Sequence, residues 1–351
     1  MVLVSAAFAG YVIVGQQMKI QRKSKMATSR IFKELTNSEI DKIISNLYGS
    51  DTKIIDCSLM KGGLFNTTYL LKTDSDSNGI VLRVAPINRH LLFDFEKSMM
   101  SAEPLFYEML QEKKIPTSEV VHYDNSFSII DREYIIFKYI RSIPMNDIRV
   151  PKDTKPGLFR RLGEIIASLH DIKSAKFGWK RPNGELKMFD SWGTFLQCFA
   201  SEIADKASNF GIFSDGELNR FLDIFTDRAV FDQITMACMV HADLWEGNVL
   251  VSQNDGKWNV VALIDIDKTI FGDKGLEFAF PTVLNDDFLS GYGSRLDEST
   301  DSIFRRNTYR LLESFMYAYI WFVQFENEER YEAAKRSGLS ALELFETSLS
   351  C

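Results

Sequence analysis

Between His241 and Asp267 the chain reads HADLWEGNVLV, a polar turn, and then NVVALIDID, and no other stretch limits its possible folds so tightly. Val249, Leu250 and Val251 are apolar and β-prone, Ser252 to Lys257 supplies turn residues, and Val260 to Ile264 is a second apolar run. That order predicts a loop followed by a hairpin. His241, Asp243, Asn248 and Asp265 then sit on one short loop and the strand pair after it. Two carboxylates and an amide oxygen at such close quarters repel one another unless a cation lies between them. Hard oxygen ligands with open positions suit Mg²⁺ bound together with phosphates.

His241, Asp243, Leu244 and Asn248 spell H-x-D-L-x-x-x-N, the catalytic-loop pattern of kinases. Phosphoryl transfer needs a carboxylate at the attacking hydroxyl, which Asp243 supplies, and cations bridging the nucleotide phosphates, which Asn248 and Asp265 would hold. Leu244 and Val249 anchor the loop in the core. Each residue read alone is ordinary, since a loop Asp is usually a turn or cap residue and a lone His a packed one. The combination carries the argument.

HADLWEGNVLV followed by LIDIDKTIFGDKGLEFA resembles the aminoglycoside phosphotransferase and choline kinase-like family, small-molecule kinases that share the protein-kinase fold and use ATP. The Leu244-Trp245 pair also resembles the fructosamine kinase branch. The resemblance implies an α+β, protein-kinase-like bilobal fold, with a small β-rich N-lobe over residues 36–140 and a larger helical C-lobe over 141–351. It implies Asp243 as catalytic base, Asn248 and Asp265 as metal ligands, and ATP with Mg²⁺ as cofactors. His241, Asp267, Asp273 and Glu277 become supports of that centre, the last two from the IFGDKGLEFAF segment. Ile266 stands where protein kinases have the Phe of D-F-G, and no A-P-E motif follows. A peptide substrate needs that longer platform and a small molecule does not. The acceptor is therefore a hydroxyl of a small molecule such as an amino sugar, an aminoglycoside-like compound, an amino alcohol or a glycated amine. A nucleotide-binding pseudokinase is the alternative from another class, and a protein kinase the one from the same superfamily.

Length allows two lobes, because 351 residues can bury a large core. With 48 acidic residues against 41 basic ones the net charge is −7, which argues against a nucleic-acid partner. Cys57, Cys198, Cys238 and Cys351 lie far apart without C-x-x-C spacing, so neither a zinc site nor a disulfide framework is indicated and a cytoplasmic location fits. Met1 to Gly15 is apolar and runs into the basic QQMKIQRKSK, yet a spanning helix needs about 20 apolar residues. Residues 1–35 are read as an extension outside the fold, with weak membrane association through residues 1–25 as the alternative. The oligomeric state has no sequence signal.

The first helix is expected after TNSEI, a capping box with Thr36 or Ser38 as cap, and should stop at Gly49. In KGGLFNTTYLL, Gly62 and Gly63 let backbone amides approach phosphate oxygens, with Asn66 and Thr67 adding side-chain donors; a glycine pair is equally a plain hairpin signal. Strand alternation in IVLRVA sets Arg83 on the face opposite Ile80, Leu82 and Val84. The resemblance gives Arg83 the phosphate-binding role of the kinase strand lysine. Its partner is expected on a helix from about Phe95 to Lys113, with Glu103 favoured over Glu96 and Glu108. The main chain at Lys138, Tyr139 and Ile140 would meet the adenine. Beyond Gly157 the periodicity is helical, His170 satisfies a buried hydrogen bond, and long helices are expected near Trp192–Ala207 and Gly216–Val230. The aromatic density from Phe304 to Phe325 reads as core first and substrate wall second.

Overall fold

The computed structural model describes residues 29–60, 64–182, 187–280 and 282–349. Helix α1 (Asn37–Tyr48) starts at the Thr36 capping box, with Thr36 accepting from the Glu39 amide, and ends at Gly49, whose φ of 100° only glycine adopts readily. Five strands follow: β1 (Ile54–Leu59), β2 (Thr67–Thr73), β3 (Ile80–Val84), β4 (Val120–Asp124) and β5 (Tyr134–Lys138). They form one antiparallel sheet in the order β1-β2-β3-β5-β4. Ile40, Ile43 and Ile44 of α1 pack on one face of it, against Tyr69, Leu71, Ile80, Leu82 and Val84. The other face carries Arg83 and turns toward two helices.

Those helices are α2 (Asp94–Lys97) and α3 (Met99–Glu112), where the sequence predicts one continuous helix. The break falls at Ser98, φ −120° and ψ 14°, and Pro104 lies inside α3. Residues 30–35, expected outside the fold, pack into it. Ile31 is fully buried, the Ile87 amide donates to its carbonyl at 2.9 Å, and the Leu35 amide reaches the Tyr69 hydroxyl at 2.7 Å. An apolar residue at position 31 that fills a core site outweighs the absence of regular structure around it. Residues 1–25, Gly62 and Gly63 lie outside the described residues.

The second lobe is mostly helical. After the short β6 (Ile143–Pro144) come α4 (Lys155–His170), β7 (Lys173–Ser174), α5 (Trp192–Asn209), α6 (Asp215–Asp223) and α7 (Ala229–Asp232). The helix predicted over 216–230 is thus two pieces. Next are β8 (Ala237–Val240), β9 (Val249–Asn254), β10 (Lys257–Leu263) and β11 (Ile270–Gly272), then α8 (Asp286–Tyr292), α9 (Thr300–Tyr319) and α10 (Glu328–Leu349). β9 and β10 form the expected hairpin, with the turn narrowed to Asp255 and Gly256 at φ 49° and 76°. Helices α4 and α8 touch through glycines. A Cβ on Gly163 would lie 2.1 Å from the Phe288 carbonyl, so only hydrogen permits that approach. No described helix is long and apolar enough to cross a membrane.

A π-helical turn, Ile320–Gln324, closes α9 and sends Gln324 into the interior. Its amide donates to Glu96 at 2.7 Å, and the Phe93 amide donates to the same carboxylate at 2.8 Å. Burial nevertheless pushes Glu96 up to about 7, against both hydrogen bonds. A carboxyl whose folded pKa exceeds its unfolded value stabilises fully below the unfolded pKa and loses that contribution as pH rises through the folded one. Burial also raises Glu103 and Glu313, each to about 8, and they act with the same sign. Thermal unfolding is expected several degrees higher near pH ~5.5 than near pH ~8. In Glu96→Gln, whose amide can also donate to the unpartnered Gln324 Oε1, the dependence should flatten measurably in calorimetry.

Candidate active site

Two residues in strained backbone frame the cleft. Ala242 has φ 61°, and Asp265 has φ 56° with ψ 49°, a region that non-glycine residues occupy at a cost of about 1–3 kcal/mol. The first turn aims Asp243 out of the strand exit of β8. The second lifts Asp265 beyond the end of β10, so Asp265 arrives from a turn and not from the strand itself. Neither is affordable unless the surroundings fix it, and they do. The His241 amide donates to Glu277 at 2.7 Å, its Nε2 meets the Ile264 carbonyl at 3.1 Å, and its Nδ1 accepts from the Asp243 amide at 3.3 Å. A neutral ring protonated on Nε2 satisfies both contacts. His241 thus braces the loop through its backbone amide and both ring nitrogens.

Asn248 is buried beside it. Its Nδ2 donates to the Asp243 carbonyl at 2.9 Å and lies 3.4 Å from the Asp243 carboxylate, while the Asn248 backbone carbonyl accepts from the Ile264 amide at 3.0 Å. The amide's nitrogen is spent on the loop, leaving its oxygen as the available ligand. The Thr282 hydroxyl holds the Leu244 carbonyl at 2.8 Å, and Lys155 pairs with Glu246 on the outer side. Below this, Asp273 caps its own turn through the Gly275 amide at 2.8 Å and accepts from Tyr309 at 2.8 Å and Arg305 at 3.2 Å. Glu277 therefore holds the loop through the His241 amide, while Asp273 ties the turn after β11 to α9. His170 makes its expected bond, Nδ1 to the Tyr292 hydroxyl at 2.8 Å.

From the sheet, Arg83 reaches three carboxylates at once: Glu103 at 2.8 Å, Asp267 at 2.9 Å and Asp265 at 3.3 Å. Burial pulls the guanidinium down, but Glu103, Asp265 and Asp267 reverse this and leave it above its ordinary value. Burial, offset only in part by Arg83, raises Glu103, whose Oε1 has no partner. Burial, with Asp267 and Asp243 nearby, raises Asp265 as well. One cation against three acids leaves negative charge in excess, which is the setting in which a divalent ion binds. Asn66 adds a cross-lobe link, its Nδ2 lying 3.3 Å from Asp267.

Other predicted site residues are placed differently. Thr67 does not offer its hydroxyl to the cleft; it is buried and donates to the Lys33 carbonyl at 3.0 Å, on the α1 face of the sheet. Thr68, opposite Arg83 in the ladder, holds the cleft-side position. The amides of Lys138 and Tyr139 are already committed, to the Glu119 carbonyl at 3.0 Å and the Gly79 carbonyl at 3.1 Å. Ser118 donates to the Lys138 carbonyl at 2.7 Å and Ser142 to that of Ile140 at 2.9 Å. Only second lone pairs on those two carbonyls, with the Tyr139 carbonyl and the Ile140 amide, are left for a ligand.

The sequence reading passed over Lys268. Its ammonium lies 3.4 Å from the Asp243 carboxylate and 3.3 Å from the Tyr317 hydroxyl. Burial works to lower it, but Asp243, Tyr317 and Asp267 hold it well above its usual range. Glu313, one turn before Tyr317 on α9, borders the same space. The adjacent Asp267-Lys268 charge pair was the only local signal, because Glu313 and Tyr317 come from a helix some fifty residues on.

A family model of the phosphotransferase enzyme family matches residues 56–288, spanning the sheet, the cleft and the loop that carries Asp243. The chain belongs to the phosphotransferase enzyme family. No curated protein matches it significantly. Solved structures share the fold of this phosphotransferase. A putative fructosamine-3-kinase from Haemophilus somnus 129PT is 18% identical, covers 86% of this chain and 96% of its own, and has a TM-score of 0.62. A thermostable mutant of aminoglycoside phosphotransferase APH(4)-Ia, in ternary complex with AMP-PNP and hygromycin B, is 17% identical over 87% of this chain and 98% of its own, TM-score 0.62. APH(2")-IIa in complex with gentamicin is 15% identical over 88% and 97%, TM-score 0.59. The bilobal architecture is thus shared with these solved kinases, and the family makes this chain a phosphotransferase.

Proposed function

We propose that this phosphotransferase moves the γ-phosphate of ATP, bound with Mg²⁺, to a hydroxyl of a small molecule. The observation that carries the reading is the gathering of Asp243, Asn248 and Asp265 into one cleft between the lobes, with Arg83 as the sheet's contribution. Asp265 and the Asn248 oxygen would hold the ion. Among the described residues no three His, Cys, Asp or Glu side chains form a metal cluster. One carboxylate and one amide oxygen suit Mg²⁺, which takes few protein ligands and completes its shell with water and phosphate oxygens. The ion would supply charge neutralisation on the transferred group.

The side chains divide the remaining work. Asp243 orients the acceptor hydroxyl and receives its proton. As the acceptor oxygen bonds to the γ-phosphorus, the bridging oxygen departs with the electron pair of the broken bond as part of ADP. Arg83 settles the phosphates while Glu103 and Asp267 fix its fork, a geometry that lysine could not hold with one ammonium. The backbone amides of Gly62 and Gly63 would approach the phosphate oxygens, and the main chain near Ile140 would meet the adenine. Free thiols at Cys57, Cys198 and Cys238 suit a cytoplasmic setting. ADP release should be stimulated by one class within a panel of amino sugars, aminoglycosides, amino alcohols and glycated lysine. Nucleotide bound but never consumed across the panel would instead mark a binding scaffold.

A further inference from the structure

A pocket partly open to solvent lies between α5, α9 and the turn that carries Lys268, whose ammonium links it to Asp243. Its walls are aromatic. Trp179, half-buried, stacks on Phe95 at 4.4 Å with an interplanar angle of 8° and meets Phe199 edge-on at 4.7 Å. Met316 and Tyr317 line the pocket from α9. Among the described residues only Lys268 and Glu313 line it with charge. Both sit at the Asp243 end, where the reacting hydroxyl must come.

Resting on the phosphotransfer reading, we infer that the acceptor is an alcohol bearing a planar or branched apolar group, without positive charge near the reacting hydroxyl, and that Lys268 enforces this choice. An acceptor with several ammonium groups needs several ionised carboxylates to receive them. This void offers Glu313 alone, and burial holds that group toward its protonated form. The Lys268 ammonium already occupies the point next to Asp243 at which an acceptor amine would otherwise pair. Its two contacts, at 3.4 and 3.3 Å, are long for charge-assisted bonds, so it retains donor capacity for an oxygen-rich or anionic group on the acceptor. The aromatic lining, Trp179 and Tyr317 included, takes the apolar body.

Calorimetric titration of the full chain loaded with Mg·AMP-PNP tests this with four probes: phenyl β-glucoside, phenyl β-glucuronide, glucosamine and kanamycin. Both phenyl glycosides should bind at least ~10-fold more tightly than glucosamine. Lys268→Met should weaken the glucuronide ~10-fold while moving the glucoside by less than ~3-fold. Tighter binding of glucosamine or kanamycin than of either phenyl glycoside to the unaltered protein, or no binding of phenyl glycosides, overturns the inference even if the variant does not fold. The same samples with ATP separate the two claims. Phenyl glycosides that bind yet receive no phosphate overturn the phosphotransfer reading and keep the pocket's preference; phosphate passing only to kanamycin does the reverse.

Discussion

Asp243→Asn should lower kcat by about 10²–10⁴-fold, the span typical of losing a positioned general base, and leave the dissociation constant of Mg·nucleotide within ~3-fold. The side chain is nearly isosteric, so the Asn248 and Lys268 contacts have a polar partner to keep. Only proton acceptance is lost. A fall in kcat without a comparable rise in nucleotide KM is the signature of an interaction made in the transition state. Steady-state kinetics with the acceptor found by the ADP-release panel measures both terms. Equal turnover by the variant would remove Asp243 from the chemistry.

Arg83→Leu has the second large consequence, and it acts on stability first. The substitution strips the only guanidinium from Glu103, Asp265 and Asp267, two of which are almost wholly buried. Breaking a buried pair by removing one partner costs about 3–5 kcal/mol. Glu103 can relieve part of this by taking a proton, because burial has already raised it to about 8. The loss should therefore sit near the lower end of that range around neutral pH and grow as the solution is made alkaline, where keeping the proton becomes harder. Urea unfolding of both proteins at mildly acidic and alkaline pH reads the difference directly. A loss that shrinks with rising pH would contradict this charge balance around Arg83.

What was legible in the chain was local. Thr36 with Glu39, and the spacing from His241 through Asn248, are encoded within a few residues, and strand alternation alone sets Arg83 against Ile80, Leu82 and Val84. Contacts between distant segments were not legible. The break at Ser98 lies in a stretch whose helical propensity is continuous, and Arg181, from beyond α4, donates to both the Phe95 carbonyl and the Ser98 hydroxyl there. Thr67 and Thr68 differ in role only through the parity of β2, a single register step that reverses every side chain. Lys268 gains its role only from α9, which places Tyr317 and Glu313 beside it. The strained backbone at Ala242 and Asp265 has no sequence signature at all, since neither is a glycine.

The centre stands or falls on whether Asp265 and Asn248 hold a divalent ion jointly with the nucleotide. Electron paramagnetic resonance of Mn²⁺, substituted for Mg²⁺, follows that ion on the protein with and without ATP. In the unaltered chain Mn²⁺ should bind tightly only when the nucleotide is present, and Asp265→Ala should weaken that binding by at least ~10-fold, as loss of a direct ligand does. Mn²⁺ bound as tightly to Asp265→Ala as to the unaltered chain, nucleotide present in both, would contradict the assignment.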